Sequence, residues 1–231
     1  MTLLAAARAW LAEDPDPATV AELSALVARV EAGDSDAGAE LADAFDGTLQ
    51  FGTAGLRGRL GPGSNRMNRV VVSRAAAGLA AYLVANAVPG DELRVVIGFD
   101  ARRNSDVFAR DTARIMAGAG ITAMVLPSAL PTPVLAFAIR ELSCAAGVMV
   151  TASHNPPDDN GYKVYLGDGS QIVPPADAEI AACIAAVGAM ASIPQSDDFQ
   201  VLGDAVLNAY LARAVSLLGD GPREVSAVYT A

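Results

Sequence analysis

Three short, almost uninterrupted apolar runs, Leu93 to Phe99 (LRVVIGF), Ala123 to Leu126 (AMVL) and Ala146 to Val150 (AGVMV), alternate with longer segments of helical spacing. A strand with one wet face alternates polar and apolar residues; a strand covered on both faces does not. Such runs separated by helices are the pattern of strand–helix–strand units. The expected fold is α/β, with a mainly parallel mixed sheet sandwiched by helices. Asn104 and Ser105 offer an N-cap, and Val107, Phe108, Thr112, Ile115 and Met116 follow at helical spacing to a stop at Gly118 or Gly120. Pro133 opens another helix through Arg140.

The flanks read differently. Leu3, Leu4, Ala7, Trp10 and Leu11 share one helical face. Asp16-Pro17 starts a second helix along Leu23, Leu26, Val27 and Val30, and Ala37 to Phe45 forms a third after a break at Gly33. Beyond the third apolar run, Asn160-Gly161 signals a tight turn before a strand over Tyr162 to Leu166. Asp168-Gly169 then turns Gln171 to Val173 back as a hairpin, and Pro174-Pro175 starts a helix to about Val187. Pro and Asp between Ile193 and Asp198 suggest a boundary, followed by a helix over Asp204 to Leu218 and a strand over Val225 to Tyr229. The expected organisation is an N-terminal helical extension (1–48), an α/β domain (49–198) and the truncated beginning of a second α/β domain (199–231).

Composition narrows the function classes. A chain of 231 residues that is 52% hydrophobic can bury a core without a staple. Its net charge of -10 argues against a nucleic-acid or anionic-membrane surface, though a pocket can still be locally positive. Cys144 and Cys183 sit in Ala-rich segments with no C-x-x-C spacing, which reads as two reduced, buried thiols. Glu13, Asp14 and Asp16 follow a short apolar start, unlike the basic start of a signal peptide. No uncharged stretch reaches the ~20 residues of a bilayer span. A cytoplasmic, soluble protein is expected.

The chain has one His, His154, and one Lys, Lys163. Both fall in Thr151 to Lys163 (TASHNPPDDNGYK), directly after the third apolar run. Ligand sites of parallel sheets lie beyond the carboxyl ends of strands. Asn155-Pro156-Pro157 stiffens this loop. The hydrolase elbow G-x-S-x-G is missing around Ser153. An exposed serine with cations nearby suits phosphate instead. A second segment, Phe51 to Gly58 (FGTAGLRG), offers glycine backbone and the Arg57 fork to an anion. A third, Gly98 to Arg103 (GFDARR), puts Asp100 and Arg102 at a strand end bordering the same crevice. Asp158-Asp159 is a paired carboxylate that could meet Mg²⁺ or be a solvated turn.

FGTAGLRG, NRMN at Asn65 to Asn68, GFDAR and TASHNPPDDNGYKVY, in this order, resemble the α-D-phosphohexomutase family of phosphoglucomutases and phosphomannomutases. The likeness runs from about Gln50 onward, and is strongest to the branch of phosphoglucomutase-2-like and phosphopentomutase proteins and bacterial enzymes named phosphomannomutase. It implies that Ser153 is a phosphoserine that phosphorylates a sugar monophosphate, forms a sugar bisphosphate and takes the other phosphate back. It implies catalytic roles for Ser153, Lys163, Arg57 and His154, and a phosphate or substrate environment of Thr53, Gly55, Asp100, Arg102 and Asn155. It implies Mg²⁺ bound through the phosphate on Ser153, and a sugar 1,6-bisphosphate activator. The family's DGDxDR metal loop, GE-x-SG sugar loop and distal phosphate loop do not occur in these residues. The expectation is therefore an incomplete mutase, inactive alone, with a hexose or a pentose as substrate. The competing readings are a non-catalytic module that binds phosphate or a partner, and a serine hydrolase.

Overall fold

The computed structural model describes residues 2–219, 221, 224 and 226–228. Helices α1 (Leu3–Glu13), α2 (Pro17–Glu31) and α3 (Ser35–Ala44) form the N-terminal extension. Asp16 and Asp34 cap α2 and α3 by accepting backbone N–H groups, which is why both helices begin where an Asp precedes the apolar spacing. Strand β1 (Leu56–Arg59) and the long helix α4 (Arg69–Ala85) follow. Then come β2 (Arg94–Phe99), α5 (Ser105–Gly118), β3 (Thr122–Val125), α6 (Thr132–Glu141), β4 (Ala146–Val150), β5 (Asp159–Leu166), α7 (Ala176–Ala185), β6 (Gln200–Val201) and α8 (Ala205–Ser216).

The six strands form one mixed sheet in the order β1-β5-β4-β2-β3-β6. Pairs β4/β2, β2/β3 and β3/β6 are parallel; β1/β5 and β5/β4 are antiparallel. Alternate residues of β2 point to opposite faces. Val95 and Ile97 join the core under α4, α5 and α7, while Val96 joins Met124, Leu135, Ile139 and Met149 under α6. The expected sandwich, with strands buried on both faces, is what forms. The extension adds Ala7, Trp10, Leu23 and Leu41 to the first of these cores. It is tied on by Glu13 accepting from Arg74 at 2.7 Å and by the Arg66–Asp43 pair.

Several expectations need correcting. Asn160-Gly161 is not a turn: both lie inside β5, opposite β1. Gly161 serves a close approach, since a Cβ there would stand 2.6 Å from the Thr151 carbonyl oxygen. Asn104 precedes α5 in the left-handed region (φ 66) and makes no side-chain cap. Gln171 to Val173 do turn back on β5, through a bridge from Gln171 to Tyr165 and an Ile172 N–H to Val164 carbonyl bond of 3.2 Å, but without forming a second strand. Cys183 is half-buried rather than buried, and both thiols are free. Gln200 and Val201, beyond the boundary expected at 198, add an edge strand to the same sheet, and α8 packs Tyr210 against Phe137 of α6. The strand expected over Val225 to Tyr229 has its ends outside the described residues, and residues 226–228 between them carry no strand.

Candidate active site

Residues 151–158 link β4 to β5 beyond the carboxyl end of β4. Phe99 pairs with Val150 at that end, and the Asp100 N–H donates to the Val150 carbonyl at 3.1 Å. The sheet register thus sets Asp100 beside the serine loop. Ser153 is exposed, and its backbone sits in the left-handed region with φ 55, an uncommon conformation for a residue with a Cβ. Its N–H donates to Thr151 Oγ1 at 3.1 Å, and the Asn155 N–H donates to the Ala152 carbonyl at 3.1 Å. His154 stands exposed beside it, with no side-chain hydrogen bond among the described residues.

The glycine-rich arm reaches this loop through β1. Antiparallel pairing sets Arg57 opposite Gly161 and Leu56 opposite Tyr162, one residue before Lys163. Gly55, at φ 76, passes so close to β5 that a Cβ would stand 2.0 Å from the Tyr162 carbonyl oxygen. Arg57 Nη1 then donates to Asn155 Oδ1 at 3.0 Å, and Asn155 Nδ2 donates to Asp159 Oδ2 at 3.0 Å. Lys163 feels both flanks. Partial burial and the Arg57 guanidinium push its amine below the ordinary lysine value, and Asp100 opposes them. Thr53 is exposed, and its carbonyl accepts from Gln171 Nε2 at 2.6 Å rather than from the serine loop.

Arg102 departs from the role expected of it. Its guanidinium is occupied by backbone carbonyls of the serine loop, not held free for an anion. Asp100 accepts from the Arg102 N–H at 3.0 Å and from Ser105 Oγ at 2.7 Å. Asn160, fully buried, donates to Ser105 Oγ and to the Arg103 carbonyl, each at 3.0 Å. Ser105 and Asn160 escaped the sequence reading, because no local pattern marks a buried polar pair formed across 55 residues. Asp158 is exposed, and among the described residues no three His, Cys, Asp or Glu side chains gather as a metal site.

The arrangement is an exposed serine on a strand-end loop, with Arg57 and Lys163 brought to it from a neighbouring strand pair. Residues 48–190 match the family model described as phosphoglucomutase/phosphomannomutase, alpha/beta/alpha domain I. The chain belongs to this family. Among its relatives, the Haemophilus influenzae protein named "Probable phosphomannomutase" is 56% identical over 170 residues, covering 71% of this chain and 34% of that protein. The Saccharomyces cerevisiae phosphoribomutase is 43% identical over 171 residues, covering 73% of this chain and 26% of the yeast protein. A crystal structure of a Thermus thermophilus protein described as a "putative phosphomannomutase" superposes with a TM-score of 0.64 at 28% identity, covering 75% of this chain and 37% of that one. The chain thus spans about a third or less of the length of the curated relatives it matches. Its family is one of phosphosugar mutases, and the segment shared with them holds the serine loop, the glycine-rich arm and the sheet that joins them. No helix among the described residues is long and apolar enough to cross a membrane.

Proposed function

We propose that this chain is the phosphoserine-bearing part of a cytoplasmic phosphosugar mutase, moving phosphate between the C1 and C6 hydroxyls of a hexose. The observation that carries this reading is Ser153, exposed at φ 55 on the loop after β4, with Arg57 and Lys163 delivered from β1 and β5. In the forward step the bond from phosphorus to Ser153 Oγ breaks and a bond from phosphorus to a sugar hydroxyl oxygen forms. The hydroxyl proton ends on Ser153 Oγ, and the product is a sugar bisphosphate. The second step reverses this with the other phosphate. Transfer of this kind depends on in-line positioning and on neutralising charge. Arg57 and Lys163 supply two cations, and Lys163, with its lowered pKa, is the group suited to pass the proton. His154 is assigned to the hydrogen bonds of the bound phosphate.

Mg²⁺ and a sugar 1,6-bisphosphate activator belong to the proposal. The described residues do not assemble a metal site by themselves, so a phosphate oxygen on Ser153 is this chain's contribution, and no step above runs through the ion. Residues 1–48 are assigned to a helical extension and 49–198 to the phosphoserine domain, whose sheet continues past that boundary in β6. The isolated 231-residue polypeptide is expected to turn over little or not at all. A pentose is the second reading of the substrate, favoured by the likeness to the yeast phosphoribomutase.

The test is incubation of the protein with glucose 1,6-bisphosphate or ribose 1,5-bisphosphate, followed by peptide mass spectrometry. Phosphate on Ser153, absent from Ser153→Ala, is expected, and the better donor names the sugar. A serine left unmodified by both donors, or labelled instead by a fluorophosphonate, overturns the mutase reading. Steady turnover of a sugar monophosphate by these residues alone would overturn the expected inactivity.

A further inference from the structure

Three backbone carbonyls of the serine loop and that of Asp159, the first residue of β5, converge on one side chain. Arg102 Nη2 donates to the Ser153 carbonyl at 3.0 Å and to the Asn155 carbonyl at 2.7 Å. Arg102 Nη1 donates to the Pro156 carbonyl at 2.6 Å and to the Asp159 carbonyl at 3.0 Å. Its Nε faces Asp100 Oδ2 at 3.6 Å. Every nitrogen of the guanidinium is therefore directed at the loop or at Asp100, and the side chain is only 18% exposed. Asp100 is itself held by Ser105 Oγ, and Ser105 by the buried Asn160.

The loop needs such a partner for a chemical reason. Pro156 and Pro157 carry no N–H, so the peptide groups that start at the Asn155 and Pro156 carbonyls offer acceptors without donors. An acceptor-rich backbone repels a phosphate beside it. A planar cation with donors spread across a fork can satisfy several carbonyls at once, which a lysine ammonium on a point cannot. Because the peptide is planar and trans, the His154 N–H points opposite to the Ser153 carbonyl, away from Arg102. Holding that carbonyl therefore fixes the rotation about the Ser153 Cα–C bond and orients the first amide after the serine.

We propose that Arg102 is a positioning residue that clamps the serine loop through the Ser153, Asn155, Pro156 and Asp159 carbonyls, so that Ser153 is presented for phosphate transfer without Arg102 touching the substrate. The transfer half of this inference rests on the mutase reading; the clamp does not. Amide exchange of Arg102→Lys and Arg102→Ala in the 231-residue protein tests the clamp. The Asn155 and Asp159 amides, bonded to the Ala152 and Pro156 carbonyls, are expected to exchange at least about tenfold faster in both variants, the size of losing one hydrogen bond to a charged group. Ile97 and Val148, in the central strands, keep their rates. Ethylguanidinium is expected to restore protection to Arg102→Ala, and ethylammonium is not. Should the alanine variant fail to fold, the lysine variant carries the test alone. Unchanged loop exchange, exchange raised equally in loop and sheet, or equal rescue by ethylammonium overturns the clamp. For transfer, the maximal rate at which Ser153 gains phosphate should fall about tenfold in Arg102→Lys, with the half-saturating donor concentration held within about twofold. A raised half-saturating concentration at an unchanged maximal rate would instead make Arg102 a substrate contact. Faster loop exchange in a protein whose Ser153 takes no phosphate would leave the clamp standing and sink the mutase reading.

Discussion

Arg57 Nη1 and Asn155 Oδ1 are 3.0 Å apart, joined by a hydrogen bond that spans 98 residues of chain. It is the direct side-chain link between the glycine-rich arm and the serine loop, and it sits in an exposed position. Solvent screens an exposed contact to a charged group, so it contributes little to stability, about 0.2–1 kcal/mol. Its value lies in fixing where the Arg57 charge rests. In a double-mutant cycle of Arg57→Ala and Asn155→Ala, urea unfolding should give a coupling of about that size. Phosphate uptake at Ser153 should fall in both single variants and little further in the double. Additive losses of uptake would show that the two residues act separately.

Gly55 and Gly47 separate strain from clash. Both have positive φ, 76 and 72. A Cβ at Gly47 meets nothing within 4 Å, whereas one at Gly55 would stand 2.0 Å from the Tyr162 carbonyl oxygen. Gly47→Ala should cost only the conformational strain, about 1 kcal/mol. Gly55→Ala adds a backbone collision that only separation of β1 from β5 relieves, so a loss above about 2 kcal/mol is expected. Denaturant midpoints measure both, and equal losses would mean that β1 shifts freely.

The sole lysine makes a clean titration probe. Burial first, then the Arg57 charge, lowers the Lys163 pKa, and Asp100 raises it. Arg57→Ala removes a cation, so the Lys163 pKa should rise; Asp100→Asn removes an anion, so it should fall. Carbon-13 methylation of Lys163 with an NMR pH titration reads both shifts, and shifts of the opposite sign would break the electrostatic picture. The sign for stability follows. A lysine whose folded pKa lies below its unfolded value of 10.5 is carried at a cost while charged. That cost is relieved as pH rises through the folded pKa, and the relief is complete above 10.5.

The two thiols should differ in reactivity. Burial raises the Cys144 pKa to about 11, and the thiolate is the reacting form. Cys183 lies half-exposed on α7. Iodoacetamide at pH 8 is expected to modify Cys183 well before Cys144, read by peptide mass spectrometry. Because the folded Cys144 pKa exceeds its unfolded value of 9.0, the buried neutral thiol adds stability below pH 9 that is lost between 9 and about 11. Modification of Cys144 ahead of Cys183 would mean that the α6–β4 corner opens readily.

Which parts were legible follows a physical pattern. The central strands, and helices α1 to α3 and α5 to α8, announced themselves, because apolar runs, caps and prolines act over a few residues. Helix α4 did not. It is rich in Ala and buried on several sides, at Val70, Val72, Ala75, Ala76, Leu79, Ala80 and Leu83, so no polar face sets a period. Strand β1 (LRGR) reads as a loop and is a strand only because β5 supplies its hydrogen bonds. Asn160-Gly161 has the local chemistry of a turn, yet β1 and β4 flank β5 on both sides and hold it extended. Tertiary pairing overrode propensity there.

The division at the site is the same. Ser153, His154 and Lys163 were marked by sequence alone, because a lone histidine and a lone lysine fell within one short proline-containing segment after an apolar strand. That segment, its place at a strand end and the sandwich beneath it all follow from interactions within a few residues. The tasks of the arginines do not. Arg57 and Arg102 carry the same fork, and both were set down for the substrate or its phosphate. The sheet register turns Arg57 toward Asn155 in the open, while the strand end after β2 turns Arg102 under the loop, against its carbonyls. Which charge is left for a ligand depends on which acceptors the fold brings within hydrogen-bonding distance, and those acceptors lie more than fifty residues away in the chain.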